Sequence, residues 1–277
     1  MSIYPLLLEP EDLQPLLHNA DLLIIDQSSL EHYLTGHVPG AVHLDFKQLQ
    51  LGEQPTPGAL PPIEQLNHVF SELGLTADKH VIAYDDEGGG WAGRLIWALD
   101  MIGHSRYSYL NGGIHAWLQA GLETENNIKA IQPSNYVVTS LDSRFTLTKE
   151  QVLARLNDID SGDFAIWDAR SAAEYRGEKV FAARGGHIPG AVNYEWTLGM
   201  DSTRGLRINE LTKFDDLLNS LGLTADKHIM THCQTHHRSG FTYLVGKILG
   251  RNISAYAGSW SEWGNDANTP INTGSKP

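Results

Sequence analysis

The sequence predicts an α/β fold made of two tandem copies of one unit, each a parallel sheet flanked by helices on both faces. Three observations support this prediction. The chain of 277 residues is long enough for two domains of roughly 100–150 residues. Long motifs recur once, in the same order, at an offset of about 146–150 residues. Short apolar runs alternate with helical patterns in each copy, which is typical of parallel strands covered by helices.

The repeat is clearest in the motif Leu-Gly-Leu-Thr-Ala-Asp-Lys-His, which occurs at 73–80 and again, unchanged, at 221–228. The motif His-x-Pro-Gly-Ala-Val occurs at 37–42 and at 187–192. Because these matches keep their order, they indicate duplication of a whole domain rather than a short solenoid repeat.

We therefore predict a first domain at 1–123, a linker at 124–145 and a second domain at 146–277. The linker segment contains Pro133 and has no helical period. The second domain begins near Thr148, where Thr148-Lys-Glu-Gln151 fits a capping box that opens a helix.

Strands and helices are predicted at matching places in the two copies. Apolar runs predict buried strands at 22–25, 81–84, 164–167 and 229–232. Apolar residues spaced i, i+3, i+7 and i+10 predict amphipathic helices through Ile63, Leu66, Phe70 and Leu73, and through Leu211, Phe214, Leu218 and Leu221. In sheets of this kind, ligands bind beyond the carboxyl ends of the strands.

Charge and hydropathy exclude several classes of partner. A net charge of -13 disfavours nucleic acid and anionic membranes, since both attract basic surfaces. No run approaches the ~18 apolar residues of a membrane helix. Met1 to Leu17 lacks the basic start of a signal peptide. We expect a cytoplasmic protein with no membrane partner.

The strongest candidate for chemistry is Cys233, because it is the only cysteine and stands where a strand should end. A loop of residues 234–237 follows it, and a helical pattern from Phe241 to Leu249 comes next, with Gly250 as the expected cap. A thiol at a helix amino terminus is favoured as its thiolate, which is the nucleophilic form. Arg238 and the two histidines before it add positive charge nearby.

The first copy provides an internal comparison. In the repeat alignment Asp85 falls at the position of Cys233, and an acidic, glycine-rich stretch at 86–90 replaces the basic loop. Since this loop has no sulfur and should not hold an anion, we expect the first domain to be catalytically silent.

Three motifs resemble the rhodanese family of sulfurtransferases. The segment at 33–41 is similar to its amino-terminal signature, and the segment at 256–263 is similar to its carboxyl-terminal one. Cys-Gln-Thr-His-His-Arg at 233–238 resembles the active-site loop of some bacterial thiosulfate sulfurtransferases. The resemblance covers nearly the whole chain and implies two tandem rhodanese-like domains.

The resemblance also implies a double displacement. The Cys233 thiolate takes the outer sulfur of thiosulfate, sulfite leaves, and the persulfide passes its sulfur to cyanide, a thiol or a dithiol protein. No metal or other cofactor is expected. The implied donor-binding residues are Gln234, Thr235, His236, His237, Arg238 and Arg170, and Asp168 is expected to brace the loop.

The sequence departs from the family pattern at Glu174, which stands where better-known double-domain members have a second arginine. His236 and His237 would then supply the missing positive charge, and the preferred donor could differ.

Four alternatives remain open. A cysteine-dependent phosphatase would need a loop one residue longer between Cys233 and Arg238. A metal site at His232, Cys233, His236 and His237 matches no common zinc spacing. A non-enzymatic sulfur carrier would form a persulfide but turn over little. 3-Mercaptopyruvate is the alternative donor, although the enzymes that use it carry a small neutral loop, and two histidines with an arginine suit thiosulfate better.

Overall fold

The computed structural model describes residues 4–277, apart from the side chain of Asp160. The first three residues of the predicted first domain, and of the segment considered as a signal peptide, lie outside this range. Residues 4–277 fold into two compact units. The first unit contains the chain up to Leu49 together with Pro61–Asp142 and Met200–Ile208, and the second contains Gln50–Leu60, Ser143–Gly199 and Asn209–Pro277. The predicted boundaries at 123 and 146 describe the sequence repeat and stay a prediction.

The first unit is built on a parallel sheet of five strands in the order β1-β5-β4-β2-β3. Its elements are β1 (Leu7–Leu8), α1 (Pro10–Leu13), β2 (Leu22–Asp26), α2 (Leu30–Thr35), β3 (Val42–His43), α3 (Ile63–Glu72), β4 (His80–Tyr84), α4 (Gly90–Met101), β5 (Tyr107–Leu110) and α5 (Gly113–Gln119). Every residue of β2, β4 and β5 is buried, as expected for parallel strands that are covered on both faces.

The second unit is built on a parallel sheet of four strands in the order β11-β10-β6-β7. Its elements are α6 (Lys149–Arg155), α7 (Asp158–Ser161), β6 (Phe164–Asp168), α8 (Ala172–Arg176), β7 (Ala191–Asn193), α9 (Leu211–Ser220), β10 (His228–His232), α10 (Arg238–Ile248), β11 (Asn252–Ala255) and α11 (Ser259–Trp263). The core contains Phe164, Ile166, Met230 and Trp260.

A small antiparallel hairpin, β8 (Met200–Asp201) and β9 (Arg207–Ile208), belongs to the first unit. Short 3₁₀ turns lie at Gln14–Leu16, Phe46–Leu49, Ser143–Phe145, Trp196–Gly199 and Ser202–Arg204. No helix within residues 4–277 has the length and apolar character needed to cross a bilayer.

The predicted fold class is confirmed, and so are the individual elements. The four predicted strands are β2, β4, β6 and β10, and the two amphipathic helices are α3 and α9. Thr148 caps α6 in a capping box, because its side chain accepts from the Gln151 amide while the Gln151 side chain accepts from the Thr148 amide. Gly250 has φ +69 just after α10, so it supplies the left-handed residue that ends that helix.

The repeated histidines have matching contacts in both units. His80 bonds to the Ser108 hydroxyl at 2.9 Å, and His228 bonds to the Ser254 hydroxyl at 2.8 Å. Burial lowers the pKa of each imidazole to about 4, so both are neutral near pH 7. The residue that ends the identical motif therefore has the same kind of contact in both copies.

Candidate active site

Cys233 lies at the carboxyl end of β10, directly before the loop that leads into α10. β10 pairs with β6 so that His232 is in register with Asp168. Cys233 is buried, with 1% of its surface exposed. Its amide donates to the Ser259 hydroxyl at 3.3 Å, and its carbonyl accepts from the Trp260 amide at 3.0 Å. The backbone beneath the sulfur is therefore held by the start of α11.

The surroundings of the Cys233 sulfur favour its ionised form. Burial alone would raise the pKa of the thiol, because a charge is poorly solvated inside the protein. The positive charge of Arg238 opposes burial, and hydrogen bonds from the Ser239 hydroxyl and from the amides of Ser239 and Thr235 act in the same direction. The net effect lowers the pKa of Cys233 below its ordinary value. A thiol in such a place is prepared to act as a nucleophile.

The loop between β10 and α10 closes through one residue in an unusual backbone conformation. His236 has φ +56, in the left-handed region that non-glycine residues seldom adopt. Its Nδ1 forms a hydrogen bond of 2.8 Å with the Ser239 hydroxyl, and the residue is fully buried. At the other side of the loop, the Gln234 side-chain amide donates to the Phe181 carbonyl at 3.2 Å. Both contacts fix the loop against its own unit.

Segment 50–60, which is part of the second unit, lies against the same loop. Gly58 is so close to it that a Cβ atom there would stand 2.2 Å from the Thr235 carbonyl oxygen and 2.7 Å from that of Ala257. The Ser261 hydroxyl donates to the Gln54 side chain at 3.2 Å. Only a glycine allows this approach, because any side chain at residue 58 would displace the loop backbone.

Arg238 forms a two-pronged ion pair with Glu174. Its Nη1 donates to Oε2 at 2.7 Å and its Nη2 to Oε1 at 2.8 Å. Burial would raise the pKa of the Glu174 carboxyl, but Arg238 and Ser171 outweigh it and the net shift is downward. The sequence predicted positive charge near Cys233, from Arg238 and the two histidines before it. The structure instead balances the arginine with a carboxylate, which sequence spacing could not reveal.

Asp168 and Arg170 form a second ion pair, deeper than the first. Arg170 Nη2 donates to Asp168 Oδ2 at 2.6 Å and to the Gly186 carbonyl at 2.8 Å, and its guanidinium carbon lies 4.3 Å from the Trp260 ring centre. Arg170 is 1% exposed. Although burial opposes ionisation of Asp168, Arg170 and His232 lower its carboxyl pKa to about 2. These contacts fix Arg170 at the carboxyl end of β6. The loop-bracing role of Asp168 and a direct contact between Arg170 and a donor stay predictions.

The histidines near Cys233 have separate surroundings. His232 is buried beside Asp168, and burial lowers its pKa to about 4, so it carries no charge near neutrality. His236 bonds to Ser239, whereas the His237 ring packs edge-on against Trp196 at 5.5 Å between centroids. Among the described side chains, no group of three or more His, Cys, Asp or Glu residues is arranged to hold a metal ion.

The matching loop of the first unit follows β4. Asp85 is fully buried there, and one of its carboxylate oxygens accepts from the amides of Glu87 and Gly89, at 3.1 and 2.8 Å. The other oxygen accepts from the Ala92 amide at 2.9 Å. The amides of this loop thus converge on its own carboxyl group. The expectation that the loop does not hold an anionic ligand stays a prediction.

Three residues at the site were missed by the sequence analysis: Ser239, Ser259 and Gly58. Glu174 was singled out, but its pairing with Arg238 was not predicted. Ser239 and Ser259 had a usable signal, since one follows Arg238 at a helix start and the other lies in the signature at 256–263. Gly58 lies 175 residues before Cys233, in a stretch rich in proline and glycine, and no local pattern connects it to the loop.

Comparison with known proteins agrees with this geometry. The model of the rhodanese-like domain matches residues 9–120 and again 148–266. A thiosulfate sulfurtransferase of Azotobacter vinelandii is 52% identical over 96% of this chain and 97% of its own length. A thiosulfate sulfurtransferase of Pseudomonas aeruginosa is 48% identical over 98% of this chain and 99% of its own length.

Among solved structures, an anaerobic ergothioneine biosynthesis enzyme of Chlorobium limicola, in complex with trimethyl histidine, superposes with a TM-score of 0.85. The match covers 97% of this chain and 70% of that one at 23% identity, so the likeness concerns the fold alone. With two matches to the family model, near-complete coverage by the two relatives and the same fold, the chain belongs to the rhodanese-like family.

Proposed function

We propose that the protein is a thiosulfate sulfurtransferase that works by double displacement through a persulfide on Cys233. One observation carries the proposal: a buried sulfur with a lowered pKa lies at a strand end between loop amides and Arg238. That sulfur belongs to a chain 52% and 48% identical to two thiosulfate sulfurtransferases. A stable thiolate at such a site is the form that attacks sulfur.

In the first half-reaction the Cys233 thiolate attacks the outer sulfur of thiosulfate. A bond forms between the two sulfurs, the sulfur–sulfur bond of thiosulfate breaks, and its electron pair leaves with sulfite. In the second half-reaction a thiolate or cyanide attacks the outer sulfur of the persulfide and restores the Cys233 thiolate. Both steps balance in atoms and charge without an added metal, oxidant or organic cofactor.

The loop residues take distinct roles in this proposal. The backbone amides of residues 234–238 surround the transferred sulfur, and the Arg238 guanidinium attracts the oxyanion end of thiosulfate. His236 closes the loop, because its left-handed backbone turns the chain towards α10. Asp168 and Arg170 brace the loop from below through their buried ion pair. The amide contacts of Thr235 and Ser239 with the sulfur support this assignment.

The first copy, predicted at 1–123, is silent in this proposal. Asp85 stands in the position of the nucleophile, and its carboxylate already accepts the amides of the loop. A carboxylate cannot carry a transferable sulfur, so all turnover belongs to the second copy, predicted at 146–277.

3-Mercaptopyruvate is a second candidate donor, and one observation favours it. Glu174 pairs with Arg238 and reduces the positive charge offered to a donor. 3-Mercaptopyruvate carries one carboxylate, so it needs less positive charge than the thiosulfate dianion. The rates of persulfide formation with the two donors decide between them.

Loading of Cys233 can be measured directly by mass spectrometry of the intact protein. After incubation with thiosulfate, the wild-type chain should gain the mass of one sulfur atom, and a thiol should remove it. Cys233→Ser should gain nothing and transfer no sulfur, while its circular dichroism stays that of the wild type. The proposal is wrong if the wild-type mass does not change while Cys233→Ser still turns over thiosulfate.

A further inference from the structure

Glu174 is the acidic residue that contacts the proposed anion-binding arginine. Both of its carboxylate oxygens accept from Arg238, at 2.7 and 2.8 Å. The Glu174 side chain is 3% exposed and that of Arg238 is 21% exposed. The Arg238 side chain is thus partly accessible from outside, whereas the Glu174 carboxylate that neutralises it is covered.

The start of α8 fixes the position of this carboxylate. Ser171 caps the helix, and its hydroxyl donates to Glu174 Oε2 at 2.8 Å while its amide donates to the same oxygen at 3.3 Å. The Glu174 amide in turn bonds to the Ser171 hydroxyl, which completes a capping box. A carboxylate held by a serine and an arginine cannot swing away without giving up several hydrogen bonds.

The charges around Cys233 nearly cancel before any donor arrives. Arg170 is balanced by Asp168, and Arg238 is balanced by Glu174. With a thiolate on Cys233, these five groups sum to a charge of one negative unit. A thiosulfate dianion that approaches therefore meets a surplus of negative charge, and the loop amides must offset it.

We propose that Glu174 is a specificity-determining residue that disfavours charge on the sulfur donor by sharing the Arg238 guanidinium. The inference rests on the proposed function and deepens it. Thiolate and thiosulfate together carry three negative charges, and so do the persulfide and sulfite that they form. Glu174 therefore weakens the binding of the dianionic donor and also hastens the departure of the dianionic product. Donors with one negative charge are less affected.

The test compares two donors of different charge, thiosulfate and benzenethiosulfonate, in wild type and in Glu174→Gln. Glutamine also completes a capping box, so the change removes charge while keeping the helix start. The KM for thiosulfate should fall about threefold to tenfold, because Coulomb energy scales with the charge of the donor. For the same reason the fold-change in KM for thiosulfate should be about the square of the fold-change in KM for benzenethiosulfonate, which carries a single negative charge. The kcat for thiosulfate should fall or stay the same, since sulfite leaves more slowly.

Glu178→Gln is the matched control. Glu178 lies four residues further along, pairs with Arg176 and is exposed. Its change removes one negative charge from the same unit without touching Arg238, so both KM values should stay within about twofold of the wild type. Glu174→Asp keeps the charge and should keep the wild-type ratio between the donors.

Two results would overturn the inference. If the KM values for both donors change by the same factor, the effect of Glu174 does not depend on the charge of the donor. If the KM for thiosulfate rises in Glu174→Gln, the residue acts only by positioning Arg238. Mass spectrometry of the wild type separates this inference from the proposed function. If the wild type forms the persulfide but the ratio of the two KM values is unchanged in folded Glu174→Gln, only the role of Glu174 is refuted.

Discussion

The loops after β4 and β10 show how one backbone design serves two purposes. In both loops, amides turn towards the side chain at the first position. In the first unit that side chain is the carboxyl group of Asp85, which accepts from three amides. In the second unit it is the sulfur of Cys233, towards which the amides of Thr235 and Ser239 point. The carboxyl group of Asp85 holds its own loop together, whereas the sulfur at the same place in the second unit is the group that we propose to react.

The difference is confined to one end of the two strands. At their amino ends, β4 and β10 begin with His80 and His228, which have equivalent hydroxyl partners and the same lowered pKa. At their carboxyl ends, the chemistry of the two copies diverges. The loop of the first unit also lacks a counterpart of Arg238, because Gly90 opens α4 where the arginine opens α10.

The largest expected effect is on stability, in the Asp85→Ala variant. Three amides, two of them buried, would lose their acceptor, so the free energy of unfolding should fall by about 3 kcal/mol. Chemical denaturation at neutral pH measures this, with Glu87→Ala, at an exposed side chain in the same loop, as the control. The folded Asp85→Ala protein should still form the Cys233 persulfide. If its stability matches that of Glu87→Ala, the carboxylate does not hold the loop.

The next effect concerns the reactivity of Cys233 in the Arg238→Gln variant. Arg238 lowers the pKa of the thiol, so removing it should raise that pKa and slow alkylation by iodoacetamide at pH 7 by about tenfold. In the wild type, alkylation should slow as pH falls through the lowered pKa, since the thiolate is then protonated. The midpoint of the variant should lie at higher pH.

Two further variants test the cause of this change. Arg176→Gln removes an exposed arginine of the same unit and should leave the midpoint in place. Arg238→Gln combined with Glu174→Gln leaves no unpaired carboxylate beside the sulfur, so its midpoint should lie between those of the wild type and the single Arg238 variant. If the midpoint is unchanged in Arg238→Gln as well as in Arg176→Gln, the loop amides alone set the pKa of Cys233.

The smallest effect is expected from Gly58→Ala. The new Cβ would stand 2.2 Å from the Thr235 carbonyl oxygen, so the loop must shift. Its amides would then no longer point at the sulfur of Cys233. We expect kcat/KM for thiosulfate to fall about threefold to tenfold, in line with small displacements at other catalytic sites. Gly36→Ala, in the first unit, meets only the Thr124 side chain and is the control. Equal activity in both variants would mean that segment 50–60 does not position the loop.

The sequence was sufficient for the fold and for the position of Cys233. Strands and helices follow from the spacing of apolar residues, and the repeat supplies each element twice, so an error in one copy is corrected by the other. The cysteine was recognisable because a strand, a short loop and a helix surround it in an order that defines its place at the sheet edge.

The charge balance of the site could not be predicted in the same way. The capping box at Ser171 and Glu174 is a local pattern, but the contact of Glu174 with Arg238 joins residues 64 positions apart. Arg170 was assigned to the donor because its position matches a family motif, whereas its contacts in the structure depend on how β6 packs against Trp260. Such pairings are properties of the assembled fold, and sequence spacing does not encode them.

Segments 50–60 and 200–208 each belong to the unit formed mainly by the other half of the sequence. The first comes from the amino-terminal half of the sequence yet lies on the Cys233 loop, and the second comes from the carboxyl-terminal half yet lies near Gly88 in the Asp85 loop. Neither half, if transferred by recombination into another gene, would take with it the strip of chain that covers its own loop. Only a transfer that carries both copies together would keep each loop with the segment that lies against it.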